Sequence, residues 1–127
     1  MPRPVHFEIH ATDPARVAAF YERVFGWKIE QWGEMPYWLI TTGDTQPGID
    51  GAITQRRGPA PGAAEPVSSF VNTIDVTDLD ATTAAVTGEG GGIALDKHAI
   101  PGVGWLAYFK DPDGNLFGAM QPDDKAK

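Results

Sequence analysis

Three titratable residues alternate near the start of the chain: His6, Glu8 and His10. Successive side chains of a strand point to opposite faces, so these three share one face. Imidazole and carboxylate in such a row suit two chemistries. One is ligation of a divalent cation; the other is general-base catalysis by a histidine whose pKa a neighbouring carboxylate raises. A strand rises about 3.3 Å per residue, which sets His6 and His10 roughly 13 Å apart and denies them a shared ion. His6 and Glu8 have the reach, given further ligands from elsewhere. The plainer reading is a polar wall in a solvated pocket, and no nucleophile in a recognisable setting accompanies the row. His98, close to Gly102 and Gly104, reads as a loop residue that closes over a pocket or stands in solvent.

The elements that must position these residues follow from periodicity. In Val5–Ala11, Phe7, Ile9 and Ala11 alternate with the polar three, as in a strand. Asp13 suits a helix N-cap and Pro14 the first helical position. Val17, Phe20, Tyr21, Val24 and Phe25 then mark one helical face, and Gly26 ends it. Strand-like runs follow at Trp27–Trp32, Tyr37–Thr42 and Gly51–Arg56. The run Gly58–Pro66 (GPAPGAAEP) reads as a linker. The order then repeats: a strand over Ser68–Val76, an Asp78 cap, a helix from Leu79 to about Thr87, and strands at Ile93–Lys97, Gly104–Lys110 and Asn115–Gln121. The threonines Thr82, Thr83 and Thr87 weaken that helix. Asp111-Pro112-Asp113-Gly114 signals a tight hairpin turn. The polar tail Pro122–Lys127 is expected to fray.

The halves superpose at a shift of 65 residues, which sets Ile9 on Ile74, Asp13 on Asp78, Gly26 on Gly91 and His10 on Asp75. Near the end, Gly51-Ala52-Ile53 falls on Gly118-Ala119-Met120 at a shift of 67. This predicts one α+β domain over 1–127 made of two βαβββ units, about 4–57 and 67–121, with the linker 58–66 between. A chain of 127 residues is long enough to bury one core. It has no cysteine, so disulfides and thiolate metal sites are excluded, as suits a reducing cytoplasm. Seventeen acidic against ten basic residues give a net charge of −7, which argues against a nucleic-acid partner. No apolar run approaches the roughly 18 residues of a membrane helix, and the first ten residues lack a signal peptide's apolar stretch.

Three stretches carry a resemblance: Asp13-Pro14 with Phe20-Tyr21-Glu22-Arg23-Val24-Phe25-Gly26-Trp27, Ile74–Asp80, and Phe109-Lys110-Asp111-Pro112-Asp113-Gly114-Asn115. In this order they resemble the vicinal oxygen chelate superfamily, which includes glyoxalase I, extradiol dioxygenases and the bleomycin resistance protein. The resemblance implies a curved, cup-shaped mixed sheet with the helices outside, and frequent homodimers. In the metal enzymes of that superfamily, His, Gln or Glu ligands come from the first and last strand of each unit and hold one divalent ion. Here those positions fall on His6, on Val71, on Gly118 where the metal enzymes have Glu, and on Gly51, Ala52 or Ile53 depending on register. His6 is the only match, and a catalytic ion usually takes about three protein ligands. The resemblance therefore supports the fold and argues against the chelate chemistry.

The expectation is a metal-free protein binding a small apolar or aromatic molecule in the cup. The alternatives are a lyase or dioxygenase with one divalent metal ion at an altered site on His6 and Glu8, and a metal-free enzyme with His6 or His10 as base. The expected lining is His6, Glu8, His10, Trp38, Val71, Thr73, Asp75, Trp105 and Gly118. Among the aromatic residues of the central strands (Trp32, Tyr37, Trp38, Trp105, Tyr108), Trp38 and Trp105 are chosen because they stand at matching places in the halves. Gly51 and Gly118 read either as room at the floor of the pocket or as strand bulges.

Overall fold

The structure is a computed structural model in which residues 2–62, 65 and 69–127 are described. The end of the expected linker and the expected start of the second copy's first strand (Ala63, Ala64, Pro66, Val67 and Ser68) lie outside the described residues. The elements run β1 (Arg3–Ala11), α1 (Pro14–Phe25), β2 (Lys28–Gln31), β3 (Tyr37–Thr41), β4 (Asp50–Gln55), β5 (Val71–Asp75), α2 (Leu79–Gly88), β6 (Gly92–Ile100), β7 (Gly104–Lys110) and β8 (Leu116–Pro122). They fall into two compact units, His6–Phe70 and Val71–Lys127, the latter also taking the residues up to Val5. The fold is α+β, with one helix and one mixed sheet in each unit.

In the first unit the sheet order is β2-β3-β4-β1, with β1 parallel to β4 and the other pairs antiparallel. The second unit has the same order, β6-β7-β8-β5, with β5 parallel to β8. The two units are thus copies in topology. Their registers also align them. Glu8 pairs Ala52, and its counterpart at a shift of 65, Thr73, pairs Gly118. Ala52, not Gly51, therefore matches Gly118, which corrects the shift of 67 expected there.

Both helices start as their sequences dictate. The Asp13 carboxylate accepts from Arg16 N at 3.3 Å, Pro14 opens α1, and Gly26 closes it at φ 75° with its N–H donating to Glu22 O. Asp78 caps α2 through Ala81 N at 3.0 Å. The α2 threonines do not interrupt that helix, because Thr82, Thr83 and Thr87 donate their hydroxyls to carbonyls one turn back.

Each sheet buries one face against its helix. In the first unit Phe7, Ile9, Ala11, Ala18, Ile40 and Ile53 form the core, with Val17, Tyr21, Trp27, Ile29 and Trp38 packed on it. In the second, Val76, Leu79, Ala107, Phe109 and Ala119 do so, with Ile74, Val86, Trp105 and Phe117. Two expectations change. The strand expected at Ile93–Lys97 continues to Ile100 through two register shifts, so His98 sits on β6 opposite Leu106 rather than in a loop. The tail is also tied down rather than frayed. Asp123 N donates to Val103 O and Gly102 N to Ala126 O, each at 3.0 Å, and Trp105 Nε1 donates to Asp123 Oδ2 at 3.0 Å. The Asp111 carboxylate organises the β7–β8 turn. Its Oδ1 accepts from Asp113 N and Asn115 N and its Oδ2 from Asn115 Nδ2, with Gly114 at φ 86°.

Candidate functional site

Register decides which side chains share the helix-free face of the first unit. His6, Glu8 and His10 pair Asp50, Ala52 and Thr54 on β4, and Thr54 and Ala52 in turn pair Tyr37 and Leu39 on β3. Laterally paired residues point to the same side of a sheet, so this set forms one surface. The opposite face carries Phe7, Ile9, Ile40, Ile53 and the α1 core.

The centre of the surface is His6 beside Tyr37. The Tyr37 hydroxyl lies 3.4 Å from His6 Nε2, a long hydrogen bond whose direction depends on the imidazole tautomer. Burial lowers the His6 pKa below its ordinary 6.5, against the opposing pull of the Glu8 and Asp50 carboxylates. Burial, aided by the charge of Glu8, pushes the Tyr37 phenol well above its ordinary 10. At neutral pH the pair is thus a neutral imidazole and a protonated phenol.

Glu8 is 3% exposed, and its Oε1 lies 3.3 Å from His10 Nε2. That approach has ion-pair distance when His10 is protonated, yet its direction is not that of a hydrogen bond. Glu8 thus stands at ion-pair distance from His10 and also acts on His6 through its charge. Arg56 braces the same strand: its N–H donates to Ala11 O at 2.8 Å and its Nη2 to His10 O at 2.7 Å. Asp50 Oδ1 accepts from Thr42 N at 2.8 Å and from Thr42 Oγ1 at 3.2 Å.

The second unit has the corresponding surface without its chemistry. Val71 stands where the first unit has His6, and it is buried. Thr73 pairs Gly118 and the exposed Asp75 pairs Met120. A Cβ on Gly118 would stand 3.3 Å from the Tyr108 ring and 3.5 Å from Thr73 Oγ1. The space above Gly118 therefore holds the Tyr108 ring rather than a void.

The structure puts Trp38 and Trp105 on the helix sides. Trp38 pairs Ile53 and packs with the first core; Trp105 shares the side of Ala107 and Phe109 in the second. The aromatic residues on the helix-free faces are Tyr37 and Tyr108. Trp32 extends the first, its ring centroid 5.9 Å from that of Tyr37 and its N–H donating to Tyr37 O at 2.9 Å. The available signal was parity: Trp38 is in phase with Ile40, the most buried residue of β3. Gly51 also belongs to the helix side, where a Cβ would meet Phe7 O at 2.5 Å and the Phe7 ring at 2.7 Å. It is required by Phe7 and opens no pocket floor.

The residues present do not fit the superfamily's chelate. Register resolves the choice in the first unit's last strand to Ala52, so the four positions read His6, Ala52, Val71 and Gly118. Only one carries a donor, and the ring of Tyr108 covers the place of the Glu. Among the described residues, no three His, Asp or Glu side chains gather as ligands of an ion, and no helix is long and apolar enough to cross a membrane.

Known proteins place this geometry in a family. The chain is 30% identical over 118 residues to a putative glyoxylase, CFP32, of Mycobacterium bovis, a match covering 91% of this chain and 42% of that protein. The chain thus spans about two fifths of the mycobacterial relative's length. It is 38% identical over 116 residues to a glyoxylase-like domain-containing protein of Didymella fabae, covering 85% and 84%. A solved glyoxalase/bleomycin resistance protein/dioxygenase superfamily member from Vibrio splendidus superposes with a TM-score of 0.62 at 20% identity, over 97% of this chain and all of that one. Residues 3–118 match the family as a whole, and the chain belongs to the Glyoxalase/Bleomycin resistance protein/Dioxygenase superfamily.

Proposed function

We propose that this chain binds a small organic molecule with an apolar or aromatic body, without a catalytic metal ion, and that the helix-free face around His6 and Tyr37 takes part. The observation that carries this reading is the chemistry of the four chelate positions, of which only His6 has a donor atom. The surface that remains suits an organic ligand. Tyr37 and Trp32 offer aromatic walls, Leu39 is 43% exposed beside them, and His6, Tyr37 and Asp50 supply hydrogen-bonding edges. Val71, Thr73, Asp75 and Gly118 are the corresponding lining of the second unit.

The first test is metal content. Tag-free protein is incubated with nickel, zinc, manganese and iron(II) salts, desalted, and analysed by plasma mass spectrometry. Well under one ion per chain is expected. One ion per chain, lost in His6→Ala, would overturn the metal-free reading and favour a divalent-metal lyase or dioxygenase. Ligand screening by thermal shift then tests the binding itself.

We further infer a cytoplasmic homodimer. The cysteine-free sequence supports the compartment, and the exposed Phe20, Val24 and Phe25 of α1 support the pairing. Sedimentation equilibrium giving a single monomeric mass would remove the dimer.

A further inference from the structure

We propose that the ligand of the first unit's helix-free face carries a carboxylate on its apolar or aromatic body, and that Arg56 holds this carboxylate beside His10 and Thr54. The site rests on the binding reading above and adds to it the charge class of the ligand.

Register gathers three donors at one end of that face. His10 pairs Thr54 across β1 and β4. Arg56, two residues beyond Thr54, has the same parity. Its backbone N–H donates to Ala11 O at 2.8 Å, which carries the ladder one step past β4, and its Nη2 donates to His10 O at 2.7 Å. Both ends of the side chain are thereby fixed against β1. All three residues are half-buried.

The chain does not supply the acceptors these donors need. A guanidinium carries five N–H groups and stays charged at any ordinary pH. One of those on Arg56 reaches the His10 carbonyl, and no carboxylate stands at ion-pair distance from it among the described residues. Arg56 Nε is enclosed yet has no acceptor, and His10 Nε2 is enclosed without a hydrogen-bond partner. A charge drawn out of water without a counter-ion destabilises a fold more than a neutral polar group does. A ligand carboxylate supplies the missing partner, because its two oxygens match the guanidinium fork. Glu8 does not fill that role: its Oε1 lies 3.3 Å from His10 Nε2. One guanidinium balances one negative charge, and Glu8 nearby disfavours a dianion, so a carboxylate suits the place better than a phosphate monoester.

The rest of such a ligand has a seat on the same face. Trp32 N donates to Tyr37 O, and Tyr37 pairs Thr54, so Trp32, Tyr37, Thr54 and His10 form one lateral row. Neighbouring strands lie about 4.8 Å apart, which sets the Trp32 backbone roughly 10 Å from that of Thr54. A two-ring aromatic acid laid across the row from the exposed Trp32 covers that span and turns its carboxylate to Arg56.

The test compares 2-naphthoate with 2-naphthylmethanol. Each is titrated into the full chain at about 50 mM NaCl, where screening is weak, and followed by calorimetry and by amide and arginine Nε–H resonances. The acid is expected to bind at least about ten-fold more tightly than the alcohol, and less so at high salt. The Arg56 Nε–H resonance, assigned by its loss in Arg56→Lys, should move with the acid and not with the alcohol. Arg56→Lys keeps the charge and a donor for the His10 carbonyl but not the fork, and should weaken the acid about three-fold or more. Arg56→Met should bring the acid down to the alcohol. Equal binding of acid and alcohol by the wild-type chain, or binding of the acid that leaves the Arg56 Nε–H resonance in place, overturns the carboxylate site while leaving small-molecule binding intact. Both readouts use the wild-type chain and do not depend on how the variants fold. If neither probe moves the Trp32, Tyr37 or Thr54 amides, the carboxylate site is overturned and binding at this face is overturned with it.

Discussion

Replacing Gly51 by alanine tests the register on which the site rests. On the helix side of the sheet, the added Cβ would lie 2.5 Å from the Phe7 carbonyl oxygen and 2.7 Å from two carbons of its ring. The oxygen belongs to the neighbouring strand, since Phe7 pairs Gly51, so relief requires the β1–β4 spacing to open or the ring to leave the core. Overpacking of this kind costs typically about 1–3 kcal/mol, and a clash with backbone belongs at the upper end. Losing a glycine from a strand returns roughly 0.5–1 kcal/mol of unfolded-state entropy. The net expectation is a loss of about 2 kcal/mol, or a melting temperature lower by about 6–10 °C. Gly118→Ala is the control. Its Cβ would touch the Tyr108 ring at 3.3 Å and Thr73 Oγ1 at 3.5 Å, contacts that a few tenths of an ångström relieve. It should therefore stay within about 0.5 kcal/mol of the parent. Urea unfolding with an unchanged m-value measures both. If Gly51→Ala equals the parent and Gly118→Ala is the damaging change, the assignment of the two glycines to opposite faces is wrong, and with it the lining described for the site.

Other perturbations follow from the same geometry. His6 has a folded pKa below its unfolded 6.5, so the unfolded chain binds the proton first. Its contribution is lost as pH falls from about 6.5 through the lower folded value. Urea midpoints across that window should lose slope in His6→Asn, and an unchanged slope would remove the burial argument. Asp111 is held below its ordinary 3.8 by the Asn115 side chain and amide and by the Asp113 and Gly114 amides. The stability it confers is present above 3.8 and lost as pH falls through the folded value, so Asp111→Asn should flatten the acid limb of a stability–pH curve. Phe109, fully buried beside Phe117, should cost about 3–5 kcal/mol on truncation to alanine, read from denaturant midpoints.

The order of elements was legible because each boundary has a local cause. Asp13, Pro14, Gly26 and Asp78 act where their chemistry says they should, and the Asp111–Asn115 turn closes on its own side chains. Pairing between distant strands was not legible, and the site depends on it. Periodicity of two tells which residues share a face but not which face meets the helix. Trp38 and Trp105 were chosen for the pocket by their matching places in the two halves, while Tyr37 and Tyr108 occupy the other parity. His98 was assigned to a loop because it lies close to Gly102 and Gly104, whereas β6 continues to Ile100 through two register irregularities. The tail was expected to fray for want of an apolar pattern, yet Ala126 is 2% exposed beneath backbone bonds to the Gly102–Val103 turn. His6 was legible both as a strand residue and as a superfamily position. Its real neighbour, Tyr37, lies 31 residues away, and only the register of β3 on β4 brings it there.

The two copies show that the departure from the superfamily's ligand pattern is not a matter of one residue. Equivalent places read His6 and Val71, Glu8 and Thr73, His10 and Asp75, Ala52 and Gly118, and Leu39 and Tyr108. A ligand returned to position 118 as glutamate would need the volume now taken by Tyr108. One at position 71 would replace a valine that is 6% exposed, and one at 52 an alanine with no exposed surface. Each change carries its own packing cost before any ion binds.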